Sequence, residues 1–78
     1  MALEEILEAL SNHYLLEIVK VCNNESKKVN IISSLTGYTI SDLGKWIRYL
    51  EKLGVLEFSN EGWKTTKETK KIIEKYFT

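Results

Sequence analysis

Cysteine and histidine are scarce in this chain, which removes several kinds of site from consideration. The 78 residues include one cysteine, one histidine and no proline. Cys22 cannot form an internal disulfide, and its position in an apolar helical pattern favours a small buried side chain over a reactive thiol. His13 has no cysteine or carboxylate at ligand spacing, so we expect no metal site. No nucleophile with a neighbouring base and no glycine-rich phosphate loop can be assembled, so we expect no enzyme and no cofactor.

Long apolar stretches are also missing. No segment approaches the roughly eighteen consecutive apolar residues of a membrane-spanning helix. The first residues are acidic rather than basic, so no signal peptide is expected. These absences, together with a single cysteine that suits a reducing compartment, favour a cytoplasmic protein with no membrane partner. Apolar residues form 44% of the 78-residue chain, enough for a folded core, and this length predicts one domain, 1–78.

The net charge is zero, but the charges are unevenly distributed along the chain. Residues 1–26 contain five glutamates against one lysine, a balance of minus four. Residues 27–78 contain ten cations against six acids, a balance of plus four. The zero net charge argues against a strongly basic nucleic-acid binder. The asymmetry nevertheless indicates a polar electrostatic surface whose basic side lies in the second part of the chain.

The clearest pattern is an amphipathic helix predicted over about 40–53. Four aliphatic residues recur every three or four positions, and at about 100° per residue they form one apolar stripe: Ile40, Leu43, Ile47 and Leu50. Thr39 stands three residues before Asp42, which is the spacing of an N-terminal cap. Gly54 follows the last periodic residues and suits the left-handed end of a helix.

The opposite face of this helix carries three cations and a hydroxyl group: Ser41, Lys45, Arg48 and Lys52. Such cations neutralise DNA phosphates, and serine, arginine and tyrosine side chains can hydrogen-bond base edges. A charged outer face is also an ordinary property of soluble helices, so the helix alone does not decide the function. The preceding segment favours DNA, because a short helix predicted over 31–36 and a turn at Gly37 and Tyr38 complete a helix-turn-helix.

The segments before the helix-turn-helix are predicted from the same kinds of signal. A helical stripe runs over about 3–23, either continuous or broken near residues 11–12. Val29 is placed in a short strand, and Asn30 is expected to cap the helix 31–36. Ile32 and Leu35 are expected to face the core from that helix.

A hairpin and a last helix follow Gly54. Strands are predicted over 55–58 and 63–65, around a four-residue turn from Ser59 to Gly62. Thr65 or Thr66 is expected to cap a final helix over 66–77. The hairpin is short, so its reach toward a DNA minor groove should be small.

Three segments, in this order, carry a family resemblance: LSNHYLLEIVKVC (10–22), VNIISSLTG (29–37) and TISDLGKWIRYLEKLGVLE (39–57). The chain resembles winged helix-turn-helix transcription regulators of the ArsR-like or related archaeal and bacterial kind. The resemblance implies an α+β, mostly α fold, a winged helix-turn-helix with a short two- to three-stranded wing sheet. It implies sequence-specific binding of double-stranded DNA, with residues 40–53 in the major groove and the wing, 55–65, beside it. Metal-sensing members have cysteine or histidine clusters that this chain lacks, so the resemblance does not extend to metal sensing. No small-molecule effector is predicted.

The residues expected to contact DNA lie in the turn, on the predicted recognition helix and on the wing: Tyr38, Thr39, Ser41, Lys45, Trp46, Arg48, Tyr49, Asn60 and Lys64. Trp46 has a second interpretation, in which it covers the flank of the core. The function also has an alternative, a winged helix used for protein–protein contact in a larger complex. The zero net charge and the aromatic residues of the recognition helix, Trp46 and Tyr49, favour that alternative.

The two ends of the chain hold more apolar residues than one helix face against a single core requires. We therefore expect the first and last helices to pack together and to form the interface of a homodimer: Leu3, Ile6, Leu7, Leu10, Ile72, Ile73, Tyr76 and Phe77. The alternative is that these residues only close the core of one chain, because single amphipathic stripes usually face inward.

Overall fold

Five helices and one hairpin make up the regular structure of residues 3–77, the part of the chain that the computed structural model describes. In chain order they are α1 (Leu3–Leu10), α2 (His13–Val21), α3 (Val29–Thr36), α4 (Ile40–Lys52), β1 (Leu56–Ser59), β2 (Gly62–Thr65) and α5 (Lys67–Tyr76). This arrangement confirms the predicted α+β, mostly α class with a winged helix-like fold. Residues 1, 2 and 78 of the predicted domain lie outside the described residues. None of the helices in residues 3–77 could span a lipid bilayer.

α1 and α2 are separate helices, and the break lies at Ser11 and Asn12. The Asn12 backbone is extended, and its side-chain oxygen accepts hydrogen bonds from the N–H groups of Tyr14 (2.9 Å) and Leu15 (3.3 Å). The Ser11 hydroxyl donates to the carbonyl of Leu7 at 2.8 Å. Asn12 therefore caps α2, and of the two interpretations left open by the sequence the broken helix is correct.

α3 begins earlier than predicted. Lys28 occupies its N-cap position without a side-chain hydrogen bond, and Val29 is already helical. The predicted strand at Val29 and the predicted cap at Asn30 are therefore wrong. The residue that pairs with the hairpin is Lys27, opposite Trp63, and the chain turns into the helix directly after this pairing.

The turn between α3 and α4 is held by local hydrogen bonds. Gly37 has a left-handed backbone (φ 81°), and its N–H donates to the carbonyl of Ser33 at 2.8 Å. The Ser33 hydroxyl in turn donates to the carbonyl of Tyr38 at 2.6 Å. The predicted cap of α4 is confirmed, because the Thr39 hydroxyl accepts from the N–H of Asp42 at 3.1 Å. These bonds fix the direction in which α4 leaves the turn.

Two aliphatic residues predicted for the core are instead exposed. Leu35 is 58% exposed and Ile40 is 54% exposed. Leu35 lies in the last turn of α3 and Ile40 is the first residue of α4, so both lie where the helix ends extend past the core. Ile32 and the later stripe residues are buried as expected: Leu43, Ile47 and Leu50. The predicted end of the helix at Gly54 is confirmed by its positive φ of 80°.

The hairpin is tighter than predicted and is joined to the start of α3. Ser59 pairs with Gly62, so two residues, 60–61, form the loop. The Lys27 N–H donates a hydrogen bond to the carbonyl of Trp63 at 2.9 Å. The Trp63 N–H donates to the carbonyl of Lys27 at 2.7 Å. Gly62 has a φ of 119°, and a Cβ there would lie 2.4 Å from the Lys27 carbonyl carbon and oxygen. Glycine is therefore required for both its backbone conformation and its close approach.

Buried threonine hydroxyls connect the end of β2 to the helices. Thr65 donates to the carbonyl of Val19 at 2.8 Å, which ties the hairpin to α2. Thr66 donates to the carbonyl of Gly54 at 2.9 Å, and its hydroxyl lies 2.8 Å from that of Thr69. Thr66 occupies the N-cap position of α5, as expected, but its side chain makes no capping bond. Its hydroxyl stabilises the junction after α4 instead.

Candidate nucleic-acid interface

The outward face of α4 presents a continuous polar stripe. Its members are exposed and recur at intervals of three and four residues: Ser41, Lys45, Arg48 and Lys52. Among the residues that the structure describes, none of these three cations forms an ion pair. The stripe lies opposite the buried residues of the same helix, so its side chains project into solvent. Three of the expected DNA contacts, Ser41, Lys45 and Arg48, are thus brought onto one surface, and Lys52 extends it.

The electrostatic attraction of this face is modest. Tyr49 is exposed beside the stripe, and α4 also carries two exposed carboxylates, Asp42 and Glu51. Asp42 lies in the first turn, where a negative charge is favourable to the helix dipole. Any affinity for an anionic ligand must therefore come from the placement of individual cations rather than from a large net charge.

Trp46 and Tyr38 lie in an aromatic cluster with Tyr14 of α2. The rings of Trp46 and Tyr14 are stacked, with centroids 5.5 Å apart and an interplanar angle of 15°. Tyr38 meets the Trp46 ring edge-on at 5.5 Å and 83°. Such pairs stabilise helix contacts beyond their burial, so this cluster fixes α4 and the turn against α2. For Trp46, the interpretation as a residue on the flank of the core fits this arrangement.

The polar groups of the turn keep some capacity to bind a ligand. Partial burial, then the nearby Glu17 carboxylate and Tyr14, raise the pKa of Tyr38 above its ordinary value, so its hydroxyl remains a proton donor. The Thr39 hydroxyl accepts the capping bond from Asp42, which leaves its proton available. Both residues can therefore donate to a phosphate oxygen.

The two wing residues expected at the interface differ in environment. Asn60 is exposed at the tip of the hairpin. Lys64 is half-buried, and its cross-strand partner in the register is the acidic residue Glu57. The carboxylate of Glu57 partly compensates the positive charge of Lys64. Asn60 is therefore the more available of the two wing residues for a ligand.

The residues expected at a homodimer interface divide into two groups. Three are buried in the core of the single chain and cannot meet a second one: Ile6, Leu10 and Ile73. α1 packs mainly on α2, and the expected packing of α1 against α5 stays a prediction. Leu3 and Tyr76 are exposed, and the others are half-buried: Leu7, Ile72 and Phe77. Interface formation by this second group stays a prediction.

Two features of these surfaces were not predicted from the sequence. One is the stacking of Tyr14 on Trp46 of α4, and the other is a cleft between the hairpin and the start of α3. No pattern along the chain indicated either, because each depends on contacts between distant segments. Comparison with models of protein families, with curated proteins and with solved structures finds no match for this chain.

Proposed function

We propose that this protein binds double-stranded DNA through the outward face of α4 and regulates transcription as a winged helix protein of the ArsR-like or related kind. The observation that supports this most is the row of exposed cations on α4, which form no ion pair within the described residues. The turn and the aromatic cluster fix the direction of this helix. A rigidly placed second helix with exposed cations is the element that helix-turn-helix proteins insert into the major groove.

The dimensions of the stripe fit this role. From residue 41 to residue 52 the helix rises roughly 16 Å at 1.5 Å per residue, which is several base pairs of major groove. In this proposal Lys45 and Lys52 contact phosphates, whereas Arg48 and Ser41 contact base edges. Tyr49 lies at the border of the stripe and would contact the backbone, as would the donors of the turn, Tyr38 and Thr39.

A duplex titration tests the proposal. Fluorescence anisotropy with labelled DNA at several salt concentrations should show binding that weakens linearly on a log–log scale. Each lost phosphate contact lowers that slope by about 0.9. Lys45→Ala with Arg48→Ala removes one phosphate contact and one base contact, so it should lower the slope by about 0.9 and also weaken binding by about 1–3 kcal/mol through the lost base contact. The matched control is Lys67→Ala with Lys71→Ala, which removes two exposed lysines from α5. Absence of binding to any duplex at low salt, or equal losses in both double variants, would contradict the proposal.

We also propose that the protein acts as a cytoplasmic homodimer. Two recognition helices read two half-sites, and a second subunit adds burial to a small core. The five apolar residues at the ends of the chain that are not fully buried support this arrangement: Leu3, Leu7, Ile72, Tyr76 and Phe77. The single buried Cys22 is compatible with a reducing compartment.

One observation favours the alternative of a protein-binding winged helix. α3 contains no charged residue, yet it exposes Ile31 and Leu35 one turn apart, and Ile40 is exposed just beyond the turn. Exposed aliphatic groups in proximity are typical of surfaces that bind other proteins. The two functions are separated by the duplex titration, because a protein-binding surface at α3 gives no reason for affinity to depend on Lys45 and Arg48.

A further inference from the structure

A cleft of about 300 Å³ lies between the hairpin and the start of α3. Its walls combine aromatic, aliphatic and polar groups from the two segments: Lys28, Val29, Phe58, Asn60, Gly62 and Trp63. This volume is at the lower end of the range for small-molecule sites, so the cleft fits a single ring system with its substituents.

The cleft exists because the inward face of the hairpin continues past the core. Leu56 and Phe58 point to the same side of β1, since side chains alternate along a strand. Leu56 is only 2% exposed, whereas Phe58 is 65% exposed. Trp63, the cross-strand partner of Phe58, has its ring centroid 5.0 Å from the Phe58 ring, at a tilt of 56°. Two aromatic rings therefore form an apolar wall that no other described part of the chain covers completely.

The rim of the cleft carries groups that recognise a polar, anionic ligand. Lys28 is exposed and forms no ion pair within residues 3–77. Asn60 presents an exposed amide, which can both donate and accept hydrogen bonds. Gly62 lines the cleft with backbone atoms alone. Aromatic faces, an amide and an unpaired cation match a nucleobase together with its phosphate.

We propose that this cleft binds an unpaired nucleotide within a nucleic-acid strand. The base contacts the rings of Phe58 and Trp63, its polar edge meets Asn60, and the phosphate on its strand meets Lys28. A strand fits better than a free nucleotide, because a cleft with so exposed a wall covers too little of a small ligand to hold it alone. Neighbouring phosphates of a strand add further contacts. The inference does not rest on duplex binding by α4, because it uses different residues.

Tryptophan fluorescence provides the test. The chain has two tryptophans, so Trp46→Phe leaves Trp63, in the cleft wall, as the only tryptophan reporter. At low salt, oligothymidine should quench this emission, and thymidine monophosphate at equal nucleotide concentration should not. Phe58→Ala in the same background should weaken oligothymidine binding about tenfold, the loss expected for one stacked base. The matched control is His13→Ala, which removes an exposed aromatic ring from α2 and should leave this affinity unchanged.

Each outcome decides a defined part of the inference. Absence of quenching by oligothymidine, or unchanged affinity in Phe58→Ala, overturns it. Equal quenching by the monophosphate overturns the assignment to a strand and identifies a free nucleotide as the ligand. Because Phe58→Ala removes a side chain from the hairpin, Phe58→Leu provides a second variant that keeps apolar volume and loses the ring; the same weakening is expected. Duplex binding that still depends on Lys45 and Arg48 would leave the function proposed for α4 standing in every case.

Discussion

Replacement of Gly62 by alanine should be among the most damaging single substitutions in the hairpin. Its backbone has a φ of 119°, which costs an alanine about 1–2 kcal/mol. The new Cβ would also lie 2.4 Å from backbone atoms of Lys27, so that segment must move. The movement breaks the two hydrogen bonds between Lys27 and Trp63, each with a net contribution of about 1 kcal/mol. The expected loss in the free energy of unfolding is therefore about 3 kcal/mol or more.

The matched control is Gly37→Ala. Gly37 also has a positive φ, 81°, but a Cβ there meets no atom within 4 Å. This variant should lose only the conformational term, about 1 kcal/mol. The difference between the two variants isolates the cost of displacing the Lys27 backbone.

Thermal unfolding followed by circular dichroism measures both effects. For a domain of this size, 1 kcal/mol corresponds to a Tm change of about 4–8 °C. Gly37→Ala should therefore lower the Tm by roughly 4–8 °C, and Gly62→Ala by roughly 12–24 °C. Equal decreases in the two variants would refute the argument, because the close approach to Lys27 would then contribute nothing.

Three further predictions address other parts of the molecule. Gly44→Ala should stabilise α4 by about 0.5–1 kcal/mol and raise the Tm, because Gly44 is inside the helix and its Cβ would meet no atom within 4 Å. Burial, opposed by nearby Lys27, raises the pKa of Cys22 from 9.0 to about 11. Between pH 9 and pH 11 the folded state keeps its thiol proton while the unfolded state loses it. The contribution of Cys22 to the free energy of unfolding is therefore complete below pH 9 and decreases by up to about 2–3 kcal/mol as the pH rises to 11. Urea unfolding across this pH range should show a smaller decrease in Cys22→Ala. Tyr76→Asp should convert a dimer to monomer in sedimentation experiments at micromolar concentration, and a monomeric native chain under those conditions would contradict the dimer.

Features determined by neighbouring residues were predictable from the sequence. The buried positions of α4 after its first residue, the Thr39 cap and the end at Gly54 each follow from signals within a few residues, and each is confirmed. The start of α3 was not predictable, because it follows from the pairing of Lys27 with Trp63, which is distant in sequence. Leu35 has the periodicity of a core residue, but periodicity does not show where a helix extends past the core.

The candidate site was predictable to the same extent. The exposure of Ser41, Lys45 and Arg48 followed from their position opposite the apolar stripe. The stacking of Tyr14 on Trp46 joins two helices that are far apart in the chain, so no local signal indicated it. The cleft beside Phe58 was not predicted either, because its walls come from the hairpin and from the start of α3. Strand alternation gives the side of the sheet to which Phe58 points, but not whether another segment of the chain covers that side.

The pairing of Lys27 with Trp63 also has a dynamic consequence. The whole of α3, the turn and α4 lies between residues 27 and 63, so this pairing closes the helix-turn-helix into a loop with fixed ends. The start of α3 therefore cannot separate from the hairpin by local opening unless both hydrogen bonds break. The amide protons of Lys27 and Trp63 should then exchange with solvent only in openings close to global unfolding. Such a preorganised surface loses little conformational entropy when a ligand binds, because folding has already ordered it.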